Sequence, residues 1–171
     1  MRFFRRDWFA SDNEAVDDDT AANRVLLAYE LFLDSFQGPV GKKIQNFCRA
    51  HNLHDALIDR LAVGPSSTEL ELVIGDMQVG YTHLNLKYSE ARLSAASTSE
   101  IRAALAAENT EILHDEFDIL EHGDAGLYVH RFLLWPEERK EFAIAFRDIE
   151  AKSATIETRE RLNRGERFTQ R

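Results

Sequence analysis

The chain has 171 residues, of which 44% are apolar and 30% are charged, and its formal net charge is −9. These values are typical of a soluble globular protein of one domain. The single cysteine, Cys48, excludes an internal disulfide framework and a four-thiolate zinc site. The use of one cysteine also favours a reducing, cytoplasmic location. No stretch approaches the ~18 apolar residues of a membrane span, and the start does not resemble a signal peptide.

The charge is unevenly distributed along the chain. Residues 1–9 carry +2 and residues 151–171 carry +3, so the body between them carries −14. Affinity for nucleic acid depends on Lys and Arg side chains that neutralise phosphates, and an acidic body therefore argues against such a ligand. The same body would suit a protein partner with a basic surface, because opposite charges accelerate the encounter. Solubility alone is the other explanation of an acidic composition.

The first part of the chain is aromatic and then helical in pattern. The aromatic, basic residues 2–9 predict an edge strand or an arm that lies on the body. Apolar residues at spacings of three and four predict a helix over about residues 20–36, which Gly38 and Pro39 end. A second helix is predicted over about residues 40–52.

After residue 52 the apolar period changes from about 3.6 to about 2, which is typical of half-buried strands. The cleanest alternation runs over residues 82–89. Ser97 and Glu100 predict a capping box at the start of a helix over residues 97–109. Strands are predicted over residues 57–63, 69–74, 82–89, 112–121, 127–135 and 141–149.

These elements predict an α+β fold. Two N-terminal helices would pack on an antiparallel sheet of about six strands, and one helix would join two three-strand meanders. We expect a single domain over residues 1–150, mostly helical over 1–52 and β-rich over 53–150. Residues 151–171 are predicted to form a basic, polar tail with at most one helical turn.

Two similar tetrapeptides suggest related halves. Residues 53–56 read Leu-His-Asp-Ala and residues 113–116 read Leu-His-Asp-Glu, either through internal duplication or by chance. Imidazole and carboxylate groups suit zinc or manganese, so the two His-Asp pairs would form the metal site of a hydrolase if the halves abut. We favour a structural role, in which Asp55 caps a turn and His54 bonds to the backbone, and we expect neither metal nor cofactor. The alternative metal ligands are His54, Asp55, His114 and Asp115.

The remaining reactive residue types also favour structural roles. His83 and His130 fall within predicted strands, where an isolated histidine is commonly a satisfied core or boundary residue. A nucleophilic thiol needs a lowered pKa and an oriented base, and the sequence around Cys48 indicates neither. The sequence has no nucleophile elbow, phosphate-binding glycine loop or dinucleotide fingerprint, so catalytic residues stay unassigned.

Residues 52–59, Asn-Leu-His-Asp-Ala-Leu-Ile-Asp, lead into a predicted strand. They resemble small uncharacterised bacterial proteins in which Leu-His-Asp-Ala opens a β-meander. The start, residues 1–9, is similar to the aromatic, basic opening of one such group, and the resemblance covers residues 1–9 and 52–150. Some relatives with the His-Asp opening are predicted immunity proteins of bacterial toxin systems. The resemblance therefore implies a protein that inhibits another by covering it.

Together these observations predict a non-catalytic protein–protein interaction protein. Its sharpest form is an acidic immunity protein that covers a basic site on a bacterial toxin or enzyme. The alternatives are a metal-dependent hydrolase that uses the His-Asp pairs and a housekeeping or assembly subunit. The oligomeric state is left open. The candidate binding residues are His54, Asp55, His83, His114, Asp115, Glu116, Asp118 and Trp135.

Overall fold

The computed structural model describes residues 1–4, 18–106 (the backbone alone for 18–22), 110–123, 126–135, 140–162 and 165–170. Within these residues the chain forms three helices and eight strands. The helices are α1 (Asp18–Asp34), α2 (Gly38–Ala50) and α3 (Ala95–Leu105). The strands are β1 (Ala56–Val63), β2 (Ser67–Asp76), β3 (Gly80–Ser89), β4 (Glu111–Glu121), β5 (Leu127–Trp135), β6 (Glu141–Phe146), β7 (Asp148–Ile156) and β8 (Phe168–Gln170).

The strands form one sheet whose two ends are joined by the chain itself. Neighbouring strands follow the order β6-β5-β4-β1-β2-β3-β7. Only Arg147 separates β6 from β7, so the two outermost strands of this order are one nearly continuous extended segment. Arg92, just after β3, and Ala145 exchange backbone hydrogen bonds of 2.8 and 2.9 Å. The sheet therefore curves round and closes on itself.

The strand ladders differ greatly in length. The antiparallel β2–β3 pair contains ten Cα partners and the β3–β7 pair contains nine. The β1–β4 pair, which joins the first meander to the second, contains only Ala56 opposite Ile112 and Leu57 opposite Glu111. The short strand β8 pairs with β1 in parallel. The first meander (β1–β3) is thus joined to the second (β4–β6) by two Cα pairs between β1 and β4, and also by the β6–β7 segment, which pairs with β3 over nine Cα pairs.

Alternate residues of the strands fill the interior of the closed sheet. Leu70 and Leu72 are fully buried, whereas Glu69 and Glu71 lie on the opposite face of the same strand. Full burial of one such aliphatic side chain stabilises the fold by about 1.5–3 kcal/mol. Other fully buried side chains are Ile58, Leu61, Leu84, Leu86, Tyr88, Phe117, Phe132, Ile144 and Phe146.

Helix α2 lies beside β7 and buries Ile44 and Phe47, and α3 packs on β6. Helix α3 begins after Ser94, whose Oγ accepts a hydrogen bond of 3.0 Å from the Ser97 amide. The capping box predicted at Ser97 is therefore wrong, because the hydroxyl of Ser97 instead accepts the Ala143 amide at 3.2 Å. Among the helices of the described residues, none is long and apolar enough to cross a membrane.

The α+β class with an antiparallel sheet is confirmed, but the strand number is wrong. The described residues contain eight strands rather than about six, because the last predicted strand breaks at Arg147 and continues to Ile156. Residues 151–155 are exposed on both faces of β7, so this strand carries no apolar alternation that a sequence pattern could reveal. Its backbone pairs with β3 instead. The predicted polar tail thus contributes most of β7 and all of β8 to the sheet.

The turn between β2 and β3 requires glycine at one end for steric reasons. Gly75 has φ +102°, and a Cβ there would lie 2.1 Å from the carbonyl oxygen of Gly80. Gly80 has φ +85° but nothing within 4 Å of a Cβ, which makes it a matched control. We expect Gly75→Ala to lower the free energy of unfolding by about 2–4 kcal/mol and Gly80→Ala by about 1 kcal/mol in urea denaturation. Equal losses would contradict the steric argument.

Candidate functional site

The two His-Asp motifs meet where β1 and β4 pair; we call this junction, residues 53–57 and 111–115, the seam. The Asp55 amide donates a hydrogen bond of 2.8 Å to the Ile112 carbonyl. The rings of His54 and His114 stack with centroids 5.2 Å apart. The two halves of the chain therefore abut at their similar tetrapeptides. The equivalence is incomplete, since His54 precedes β1 whereas His114 lies inside β4.

His54 and Asp55 form a turn at the start of β1. The Nδ1 of His54 donates to the Leu113 carbonyl at 2.5 Å, which is the backbone bond expected of this residue. The turn is capped by Asn52, whose Oδ1 accepts the His54 amide at 3.0 Å, rather than by Asp55. Asp55 adopts φ +61°, and its carboxylate is 66% exposed at 3.6 Å from His54 Nε2. Its carboxylate therefore points to solvent beside the turn.

His114 is stacked against two rings. Phe4 and His54 both stack on it, each with its ring centroid 5.2 Å from that of His114. Burial lowers the pKa of His114 to about 4, and the neighbouring His54 adds to the fall. The imidazole is therefore neutral at pH 7.

Asp115 belongs to a buried chain of hydrogen bonds that crosses the interior. Its Oδ2 lies 2.8 Å from Nε2 of His130, a fully buried histidine. Burial lowers the pKa of His130, so the ring is neutral and donates to the carboxylate through Nε2–H. The remaining lone pair on Nδ1 then accepts from the Tyr88 hydroxyl at 2.8 Å. This chain joins β3, β5 and β4, and it gives His130 the satisfied core role that its position predicts.

Glu116 is fully buried and holds the N-terminal arm, residues 1–4. Its carboxylate accepts the backbone amides of Arg2, Phe3 (2.8 Å) and Phe4 (3.3 Å). The arm predicted at the start of the chain is therefore present for these residues, while Trp8 and Phe9 lie outside the described residues. Asp118, two positions on, accepts from Arg131 at 2.8 Å. Both carboxylates are thus occupied inside the molecule.

A cavity of about 300 Å³ opens beside the seam, between the arm, α1 and α2. Burial raises the pKa of the Cys48 thiol to about 12, and Asp115 adds to the rise. Burial also raises the pKa of the Tyr29 phenol and lowers that of His51. The Cys48 thiol, the Tyr29 phenol and the His51 imidazole are therefore neutral at pH 7, and Cys48 does not act as a thiolate nucleophile. The polar lining of the cavity consists of Tyr29, Glu30, Cys48, His51, Asn52, His54, His114 and Asp115.

Tyr29 lines the cavity and joins α1 to β4, a role that the sequence does not predict. Its position in the apolar stripe of α1 predicts an ordinary core residue, and its ring is indeed buried. Its hydroxyl, however, accepts the Phe117 amide at 2.6 Å and so ties α1 to β4. The sequence signal for this bond is a tyrosine within a stripe of phenylalanine and leucine, because a buried tyrosine hydroxyl usually has a hydrogen-bond partner.

A second group of polar side chains lies on the outer face of the first meander. Asp59 of β1, Glu71 of β2 and His83 of β3 place their potential ligand atoms within 4.8 Å of one another. Among the described residues, this group has its ligand atoms close enough together to hold one metal ion. The four ligands predicted at the seam do not form such a group. Asp59 is not predicted as a site residue from the sequence. The available signal is an aspartate that interrupts the apolar run Ala-Leu-Ile-Asp-Arg-Leu.

Trp135 is the remaining candidate binding residue. It ends β5 and is 48% exposed.

No family model, curated protein or solved structure matches this chain. The resemblance of the Leu-His-Asp-Ala run to immunity proteins therefore stays a prediction. Function has to follow from the arrangement of the side chains themselves.

Tyr88→Phe tests the interior hydrogen-bond chain. It removes the hydroxyl and leaves Nδ1 of His130 buried without a donor, so we expect the free energy of unfolding to fall by about 1–3 kcal/mol. Tyr81→Phe, on the partly exposed end of the same strand, is the control and should change little. Urea denaturation at pH 7 provides the measurement, and an unchanged stability of Tyr88→Phe would contradict the bond.

His114 should make the protein sensitive to mild acid. The unfolded chain protonates this imidazole below about pH 6.5, whereas the folded state resists protonation until about pH 4, so stability falls between these values. After allowance for partial exposure, wild type should lose about 1 kcal/mol more than His114→Gln between pH 7 and pH 5. Chemical denaturation at both pH values measures this difference, and identical losses would contradict the assignment.

Proposed function

We propose that this chain is a non-catalytic interaction protein that binds a partner carrying a basic, apolar segment. The reactive groups at and beside the seam support binding over catalysis because they are engaged internally or stay protonated. Asp115 is bonded to His130, Glu116 holds the arm, and the Cys48 thiol stays protonated. A housekeeping or assembly subunit would act in the same non-catalytic way.

The observation that carries the proposal is the outward face of α1. Leu27 and Leu31 are 57% and 65% exposed, on the side of the helix opposite to the buried Tyr29 and Leu33. Residues four apart lie above one another on a helix, so the two leucines form one continuous apolar strip. Such a strip on an otherwise charged helix is typical of a binding surface.

The charge around the strip indicates the chemistry of the partner. Glu30 and Asp34 are exposed on the same helix, three residues beyond Leu27 and Leu31. In the sequence, residues 12–34 hold seven acidic residues and one basic one, although five of the acidic side chains lie outside those that the structure describes. The complementary partner is an amphipathic segment with apolar side chains flanked by Lys and Arg. Electrostatic attraction would mainly accelerate its association, and the leucines would provide buried area.

The sharper form of the proposal is an immunity-type inhibitor that covers a basic site of a toxin or enzyme. The −14 charge of the body and the resemblance of residues 52–59 support this form. The metal-dependent hydrolase is the weaker proposal. It needs the carboxylates of Asp55 and Asp115 near one ion, yet Asp55 points to solvent and Asp115 is bonded to His130.

Site-specific photo-crosslinking in the native host tests the surface. Benzoylphenylalanine replaces Leu31 in one variant and Met77, which is 90% exposed on the β2–β3 turn, in the control. We expect one covalent adduct from position 31 that position 77 does not give. The absence of an adduct from position 31, or the same adducts from both positions, would contradict the proposal. An adduct with a second copy of the chain would also contradict it, because α1 would then be an interface between copies.

The captured protein, once purified, provides the quantitative test. The double variant Leu27→Ser, Leu31→Ser should weaken its binding at least about tenfold, which corresponds to about 1.4 kcal/mol. The matched control Met77→Ser, Val79→Ser removes exposed apolar groups elsewhere and should leave binding unchanged. Added salt should slow association, since the attraction is between surface charges. Equal binding by both double variants would refute the role of α1.

A further inference from the structure

Three side chains from three adjacent strands converge on the outer face of the first meander. Asp59 is the extra residue of a register shift between Ile58 and Arg60, and bulges of this kind redirect a side chain. Its side chain is fully buried, whereas those of Glu71 and His83 are 15% and 22% exposed. A buried carboxylate on this face requires compensation by neighbouring groups.

In each carboxylate one oxygen lies beside an arginine and the other lies nearer to His83. Glu71 Oε1 accepts from Arg60 Nη2 at 2.6 Å, and its Oε2 lies 3.9 Å from His83 Nε2. Asp59 Oδ1 lies 3.7 Å from Arg161 Nε, and its Oδ2 lies 4.0 Å from the same imidazole nitrogen. Two carboxylate oxygens and one imidazole nitrogen thus face a common point.

His83 Nε2 is shielded from solvent and has no hydrogen-bond partner among the described residues. Its separations of 3.9 and 4.0 Å from the two carboxylate oxygens exceed the roughly 2.7–3.2 Å of an N–H···O bond. A buried polar atom left in this way costs free energy unless something satisfies it. Ligand atoms that each lie ~2.0–2.2 Å from one ion are roughly 3–4 Å apart, which matches these separations.

We propose that Asp59, Glu71 and His83 bind one divalent transition-metal ion of the zinc or manganese type. An imidazole nitrogen with two carboxylate oxygens suits these ions, whereas Mg²⁺ and Ca²⁺ prefer oxygen ligands throughout. Arg60 and Arg161 orient the carboxylates by holding their outer oxygens, as outer partners do in metal sites. Three protein ligands also leave room for a water or another small ligand on the ion.

The site would connect the C-terminal segment to the sheet. Arg161 contacts Asp59, and Arg159 donates to Glu111 Oε1 at 2.9 Å and to the Asp55 carbonyl. Residues 157–162 therefore run past Asp59 and the start of β1. An ion that fixes Asp59 also fixes the position of Arg161. This role is independent of the proposed binding surface on α1.

Metal titration of the untagged, chelator-treated full chain tests the site. Calorimetry with ZnCl₂ and MnCl₂ should show saturable binding of one equivalent of at least one ion. His83→Gln and Glu71→Gln roughly preserve the size of the side chain. Each should weaken the one-equivalent metal binding at least about tenfold. His54→Gln and His114→Gln remove imidazoles at the seam and should leave that binding unchanged. Circular dichroism checks that each variant is folded.

Long-range ¹H–¹⁵N NMR of wild type gives a readout that does not depend on the variants. The ion should shift the Nε2 resonance of His83 and leave those of His54 and His114 in place. The proposal is overturned if neither ion binds at one equivalent, or if the seam variants rather than His83→Gln abolish binding. It is also overturned if His83 carries protons on both nitrogens and does not respond to either ion, since a proton would then occupy the gap.

Discussion

The closure of the sheet depends on the seam, where β1 of the first meander pairs with β4 of the second through a very short ladder. Two Cα pairs join β1 to β4, whereas ten join β2 to β3. Additional bonds supplement this ladder: the Ile58 amide donates to the Thr110 carbonyl at 3.0 Å, and His54 donates to the Leu113 carbonyl. Without them the second meander would be anchored mainly through the continuous β6–β7 segment.

The histidines and carboxylates that stand out in the sequence around the seam are used for contacts inside the protein. Buried charges are costly unless they are paired or hydrogen-bonded, and buried imidazoles respond by staying neutral. Asp115 and Glu116 are adjacent carboxylates that reach different partners, His130 inside the sheet and the backbone of the arm outside it. Residue types that suggest a metal-dependent hydrolase therefore serve to hold strands and the N-terminal arm together. The surfaces that we propose for partner and metal binding lie elsewhere, on the outward face of α1 and the outer face of the first meander.

Sequence patterns predicted the elements whose side chains alternate in burial and missed those that lack alternation. Residues 82–89 alternate cleanly and form most of β3, but residues 151–155 are exposed on both faces and their strand depends on pairing with β3. The repeated His-Asp dipeptide left open whether the two halves meet, and the structure brings them together at the seam. The bond from Asp115 to His130 could not be predicted, because it depends on a register shift between Ile112 and His114. The convergence of Asp59 with Glu71 and His83 likewise follows from a bulge, which spacing along one strand does not reveal.

The central claim is that His114 and His130 are neutral structural groups rather than proton donors and acceptors poised for catalysis. The most direct measurement is the protonation state of each imidazole, obtained from ¹⁵N chemical shifts of the intact protein at pH 7. The account predicts neutral His114 and His130, with the proton of His130 on Nε2 and its Nδ1 accepting from Tyr88. A doubly protonated His114 or His130 at this pH, or a His130 with its proton on Nδ1, would contradict it.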